Sequence, residues 1–188
     1  APDEVWRRGV DLFSPPGGPK RRGFRHELVS VLMLFEWLRR SDPMHAALLG
    51  PYAELVEAGL LPGPREGDNE AAHFPLMAAL DAPRFDLVAY LVCAHHGKIR
   101  GVWSSTPHDQ EAVVRDPNVS PLRGVVSGDQ LPSLIVSVGD DRTASIPRLE
   151  LSLELAEIGL SPRYGRSWTD RVLSLVEEWG PTTLAYFE

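Results

Sequence analysis

"VAYLVCAHHGKIRG", residues 88–101, sets an apolar run against two adjacent histidines, a glycine and two cations. With Phe85 and Leu87 before it, the run reads as the most apolar and so the most buried helix of the chain, residues 85–96, with Gly97 as its C-cap. Two imidazoles where a buried helix stops have two readings. An imidazolium there complements the negative end of the helix dipole, which makes the pair a surface cap. A half-buried histidine also needs a partner, and neutral imidazole is the commonest transition-metal ligand. Neighbouring side chains on a helix diverge by about 100°. His95 and His96 therefore suit two ions, or one ion and a substrate phosphate, better than one tight chelate.

Outward from this stretch the chain is mostly helical. Residues 25–40, "RHELVSVLMLFEWLRR", carry Leu28, Val29, Leu32, Phe35 and Leu38 at helical spacing, and Asp42-Pro43 stops them. "MHAALLG" and "PYAELVEAG" read as short helical pieces ending on Gly50 and Gly59. Residues 69–80 are predicted helical, with Pro75 as a kink or boundary. Beyond residue 97 the pattern changes. "LPSLIVSV" and "TASIPRLEL" are strand-like around the turn cluster "GDDR", which predicts a β-hairpin with Pro147 at an edge. Residues 149–158 fit strand or helix. "SWTDRVLSLVEEWG" is a helix with Ser167 as cap, Asp170 completing a capping-box-like pair and Gly180 closing it. "PTTLAYFE" begins another helix.

The 188 residues suit one domain, and 43% hydrophobic residues can build a core. A net charge of −7 excludes a basic nucleic-acid coat, though not a local basic patch such as Lys20, Arg21, Arg22 and Arg25. The single cysteine, Cys93, excludes an internal disulfide and suits a reducing, cytoplasmic setting; it reads as a small buried hydrophobe. No apolar run is long enough for a bilayer, so no membrane partner is expected. The first residues, "APDEVW", lack a signal core. Among the other histidines, His45 and His73 suit helix packing and His108 a loop. Trp103 reads as a packed indole rather than a base-stacking platform. A glycine-rich phosphate loop, G-x-S-x-G, CxxC and HExxH are absent from the sequence.

"RHELVSVL" followed by "LVAYLVCAHHGKIRG" resembles the HD nuclease domain of the CRISPR-associated nuclease–helicase of type I systems. "LRGVVSGDQLP" and the tail from residue 149 resemble the subgroup, formerly called U and now G, in which the HD domain follows the helicase. The likeness runs from Phe24 onward. It implies a mainly α, HD-domain-like helical bundle with one inserted β-hairpin: a loop over 1–24, a helical core over 25–96, loop and hairpin over 97–148 and C-terminal helices over 149–188. It implies two divalent ions (Mg, Mn, Ni, Co or Fe) held by histidines and aspartates, and a metal-bound water that cuts single-stranded DNA. His26 matches the histidine of the family's arginine–histidine–glutamate motif, and His95 and His96 match its histidine pair. All three are thereby metal ligands and catalytic residues. Arg25, Lys98 and Arg100 would steady phosphates, as would Lys20, Arg21 and Arg22 on the way in. The implied partners are single-stranded DNA, the helicase domain of the same polypeptide and a CRISPR effector complex.

The sequence also departs from that pattern. The family's His-Asp pair, with a lysine shortly after, should precede "RHE", and residues 1–25 hold no histidine. The last aspartate is expected just past Glu188. Three neutral imidazoles without a bridging carboxylate would hold hard ions weakly. The chain is thus expected to be a piece of the domain, cut at both ends of the site, or a degenerate relative, with little or no activity alone. Two other classes stay open: a phosphohydrolase of the HD type acting on nucleotides, and a non-catalytic helical module that docks a helicase or effector complex.

Overall fold

The computed structural model describes residues 24–62, 75–96, 101–115, 117–118, 120–137, 143–161 and 163–187. Helix α1 (His26–Ser41) is followed by α2 (Ala46–Leu49), a 3-10 turn (Gly50–Tyr52), α3 (Ala53–Glu57), α4 (Pro75–Ala78), α5 (Ala82–Ala94) and α6 (Pro107–Arg115). Strands β1 (Gln130–Leu131), β2 (Leu134–Ser137), β3 (Thr143–Ile146) and β4 (Leu149–Glu150) come next. A 3-10 turn (Glu154–Ala156), β5 (Leu160–Ser161), β6 (Gly165–Arg166), α7 (Trp168–Trp179) and α8 (Pro181–Phe187) complete the order. The fold is mainly helical, as expected. No helix among the described residues is long and apolar enough to cross a membrane.

Helix α1 buries Leu28, Val29, Leu32, Phe35 and Leu38, the stripe its spacing predicts, and Val31 in addition. Helix α5 starts where the Asp81 carboxylate accepts from the Arg84 N–H at 3.0 Å, and it buries Phe85, Ala89, Tyr90, Cys93 and Ala94. The two stripes share one core with Trp168, Val172 and Leu175 of α7, and the Phe35 and Phe85 rings meet edge to face at 5.0 Å. On α7 the Ser167 hydroxyl accepts from the Asp170 N–H and donates to its carboxylate, so the cap read from the sequence is present. Gly180 ends the helix at φ +77°.

The predicted hairpin pairs Leu134 with Ile146 through Ser137 with Thr143, antiparallel. It is one of three such pairs among the described residues: β1 joins β4 around it, and β5 joins β6. Three expectations are corrected. His108 lies in helix α6, within the stretch read as loop and hairpin, because Thr106 and Pro107 start a helix there. Residues 149–166 hold short strands and a 3-10 turn, so the C-terminal helices begin at Trp168. Helix α5 stops at Ala94, leaving His95 as its cap. The predicted Gly97 cap and residues 69–74 lie outside the described residues, while Pro75 opens α4 as a boundary.

Two buried ion networks cross the core. Asp86 of α5 binds Arg171 at 2.8 Å and Arg166 at 2.7 Å. Glu36 of α1 accepts from Arg39, Arg40, Arg163 and the Tyr164 hydroxyl. Burial pushes the Glu36 carboxyl up, but the Arg39 hydrogen bond and the Arg163 and Arg39 charges more than reverse this and hold it below the ordinary carboxylate range. Its contribution to stability is therefore complete above the ordinary glutamate value of about 4.3 and is lost as pH falls through the lower folded value. Denaturant midpoints measured down an acid series should fall in that window, and Glu36→Gln should flatten the fall. Asp86→Ala, which strands a buried guanidinium, should cost about 3–5 kcal/mol in the same assay. Asp81→Ala, at the exposed cap, should cost about 1 kcal/mol.

Candidate metal centre

Packing α1 against α5 brings the first residue of α1 to the end of α5. His26 and His95, 69 positions apart, place their Nε2 atoms 3.0 Å from each other, and His96 Nε2 lies 3.1 Å from His26 Nε2. The His95 and His96 rings sit side by side with centroids 4.2 Å apart. Their divergence does not separate them, because both follow the last helical residue. The three imidazoles form the one group of at least three His, Cys, Asp or Glu ligand atoms, all within 4.8 Å, among the described residues. All three are exposed.

A hydrogen bond orients the His95 ring, and a carboxylate contact orients the His26 ring. His95 Nδ1 lies 2.6 Å from the Val92 carbonyl, which only accepts, so Nδ1 carries the proton and neutral His95 presents the Nε2 lone pair. His26 Nδ1 faces the carboxylate of buried Glu27 at 3.5 Å, which favours a proton there too. With His26 protonated at Nδ1, two lone pairs face each other across 3.0 Å, and a cation between them relieves the repulsion; with the proton at Nε2, the same pair is a hydrogen bond. A tetrahedral ion with nitrogen ligands at about 2.05 Å spaces them by roughly 3.3 Å, close to the observed separations. Each oriented ring thus shows the outer partner typical of metal-bound histidine, a carbonyl for one and a carboxylate for the other. The C-terminal end of α5 adds a favourable dipole for a cation.

The donor set fits one borderline ion such as Zn, Co or Ni better than the hard ions Mg and Ca. Three protein ligands facing solvent leave positions for water and substrate, the pattern of catalytic rather than closed structural sites. No carboxylate oxygen joins the group among the described residues. A two-ion centre of the kind the resemblance implies needs carboxylates from outside them.

Of the cationic candidates, Arg25 is exposed at the N-cap of α1, beside His26. Lys20, Arg21, Arg22, Lys98 and Arg100 lie outside the described residues, as does His73. His45 is buried and caps α2, its Nδ1 accepting from the Ala47 N–H at 3.0 Å. His108 sits 3.2 Å from Glu111. Cys93 is buried and accepts from the Trp103 indole N–H at 3.3 Å, and Trp103 stacks on Trp168 at 4.6 Å, so that indole is packed as expected. The sequence reading missed Asp109, which is buried and accepts from the N–H groups of Thr106, Arg123 and Gly124. The T-x-x-D spacing from Thr106 to Asp109 with Pro107 between is a helix-start signal that marks it.

No protein-family model matches the chain, and neither do curated proteins or solved structures.

Calorimetric titration with Co(II) or Zn(II) should give one ion per chain. His26→Ala should abolish it, and Glu27→Gln should weaken it by about 10- to 100-fold.

Proposed function

We propose that the chain carries the histidine cluster of an HD-type, metal-dependent nuclease that cuts single-stranded DNA in CRISPR interference. In this reading it works beside a helicase domain of the same polypeptide and with a CRISPR effector complex. One observation carries the reading. The three histidines singled out by likeness to the family's motifs are the three whose Nε2 atoms converge, whereas His45 caps a helix and His108 faces Glu111.

A divalent ion in such a site supplies an acidified water and charge stabilisation at a phosphodiester. The chain's own part is to hold His26, His95 and His96 with their lone pairs inward, through Glu27 and the Val92 carbonyl. Exposure of all three rings lets a bulky polymer approach. Arg25 at the rim supplies a cation for a neighbouring phosphate. Three neutral nitrogens favour Mn, Co, Ni or Fe over Mg.

A second reading, a non-catalytic docking module, draws on the lack of a carboxylate in the donor group among the described residues. For the same reason the chain by itself is expected to cut DNA little or not at all. The complete polypeptide with Mn(II) or Ni(II) should cut single-stranded DNA, and His96→Ala should abolish this without lowering Tm, because the ring is exposed. Hydrolysis of nucleotides with DNA left intact would assign the site to the nucleotide phosphohydrolases. Metal binding without hydrolysis of either substrate would favour the docking module.

The basic strip gives an independent test. Neutralising about three phosphates on a single strand gives a log-affinity slope near −2 against log salt. Replacing Lys20, Arg21 and Arg22 with Ala should weaken single-stranded DNA binding by the complete polypeptide and flatten that slope. Binding across a salt series checks this; equal slopes for the two forms would make the strip a solvated loop.

A further inference from the structure

Among the described residues 101–115 and 120–125, two contacts fall beside the two halves of the histidine cluster without reaching the imidazoles. At one end Trp103, stacked on Trp168 at 4.6 Å and 12° between planes, donates its indole N–H to Cys93, two positions before His95. At the other end the Arg123 carbonyl accepts from the Arg25 N–H at 3.1 Å, one position before His26. Between these ends stands Asp109.

Its carboxylate organises the segment in two ways. Oδ2 accepts from the Thr106 N–H at 2.7 Å and the Thr106 hydroxyl at 2.8 Å, which caps α6. Oδ2 also accepts from the Arg123 N–H and Oδ1 from the Gly124 N–H, each at 2.9 Å. Arg123 and Gly124 form the tight turn closed by Leu122 and Val125, with φ +51° and +84°. Arg123 is the one non-glycine residue at positive φ among the described residues. A left-handed conformation there persists only where its surroundings over-determine it. The two N–H groups fixed on Asp109 do so, and the turn so held aims the Arg123 carbonyl at Arg25.

We propose that Asp109 is a positioning residue of the metal centre: it ties the start of α6 to the Arg123–Gly124 turn, and this bracket sets the spacing of His26 from His95 and His96. The inference rests on the metal reading of those three imidazoles. Asp109 is 4% exposed and touches none of them, so it acts through backbone alone. Burial raises its carboxyl pKa, but the Thr106 and Gly124 N–H groups and the Thr106 hydroxyl outweigh this, so the acceptor is ionised at neutral pH. Asn at this position brings an amide N–H₂ against N–H donors and cannot accept all four bonds.

The test is Co(II) titration of the chain, followed by calorimetry and by the visible d–d bands of the ion. Asp109→Asn, folded by circular dichroism, should bind Co(II) about 10- to 100-fold more weakly, with altered d–d bands. Folded Asp109→Asn with wild-type affinity and bands overturns the bracket. A wild-type chain that binds no Co(II) overturns instead the metal reading beneath it. Should Asp109→Asn fail to fold, hydrogen exchange on the wild-type chain decides. Coupling is reciprocal, so saturating Zn(II) should slow exchange at Arg25, Arg123 and Gly124. Exchange unchanged by Zn(II) at all three amides overturns the proposal.

Discussion

The Arg171 guanidinium is the tie on which the arrangement depends. It is 1% exposed and binds Asp86 of α5 at 2.8 Å. It also donates to the carbonyls of Ala47, Leu48, Tyr164 and Arg166, and lies 4.6 Å from the centre of the Phe35 ring of α1. One side chain of α7 thus contacts α1, α2, α5 and the β5–β6 region. Burial favours loss of its proton and Asp86 opposes this, and a buried charge is tolerable only with such complete partnering. The close approach also explains Gly165. Its φ is +67°, and a Cβ there would overlap the Leu48 carbonyl.

From that tie the histidine geometry follows. Asp86 lies nine positions before His95 on the same helix, so fixing Asp86 fixes where α5 ends. Helix α1 is fixed at its other end by Glu36, which accepts from Arg163 and the Tyr164 hydroxyl outside the helix, and along its length by the apolar stripe facing α5. The three rings meet because two rigid helices are held in place and one starts where the other ends. The arrangement of the imidazoles is thus set by charges and aromatic rings far from them, with Trp103 and the Arg123–Gly124 turn as the nearer links.

Much of this was legible in the sequence, for identifiable reasons. Helix α1 announces itself by periodicity, α5 by its apolar run and α7 by caps at Ser167 and Gly180, because burial of one face and closure of helix ends leave local marks. The choice of His26, His95 and His96 came from the family likeness and from their places at helix ends. What escaped was long-range. Nothing in the local pattern tells that Arg123 turns left-handed onto Asp109, or that two adjacent rings past Ala94 point the same way. Helix α6 was passed over because its residues are too polar to show a stripe, although Thr106 and Pro107 signal its start. The short pairs β1–β4 and β5–β6, two residues each, lie below the length at which alternation can be read.

All three imidazoles stand outside the core that positions them. No packing term resists their replacement, since exposed side chains past a helix end contribute little to folding. Selection on solubility or abundance is therefore blind to them, and under the proposed function only selection on that chemistry would keep them. A descendant released from such chemistry would lose these histidines within a few substitutions while keeping helices and ion networks intact. In such a lineage the histidines would drift first, and the scaffold would pass on unchanged as a ready-made adaptor.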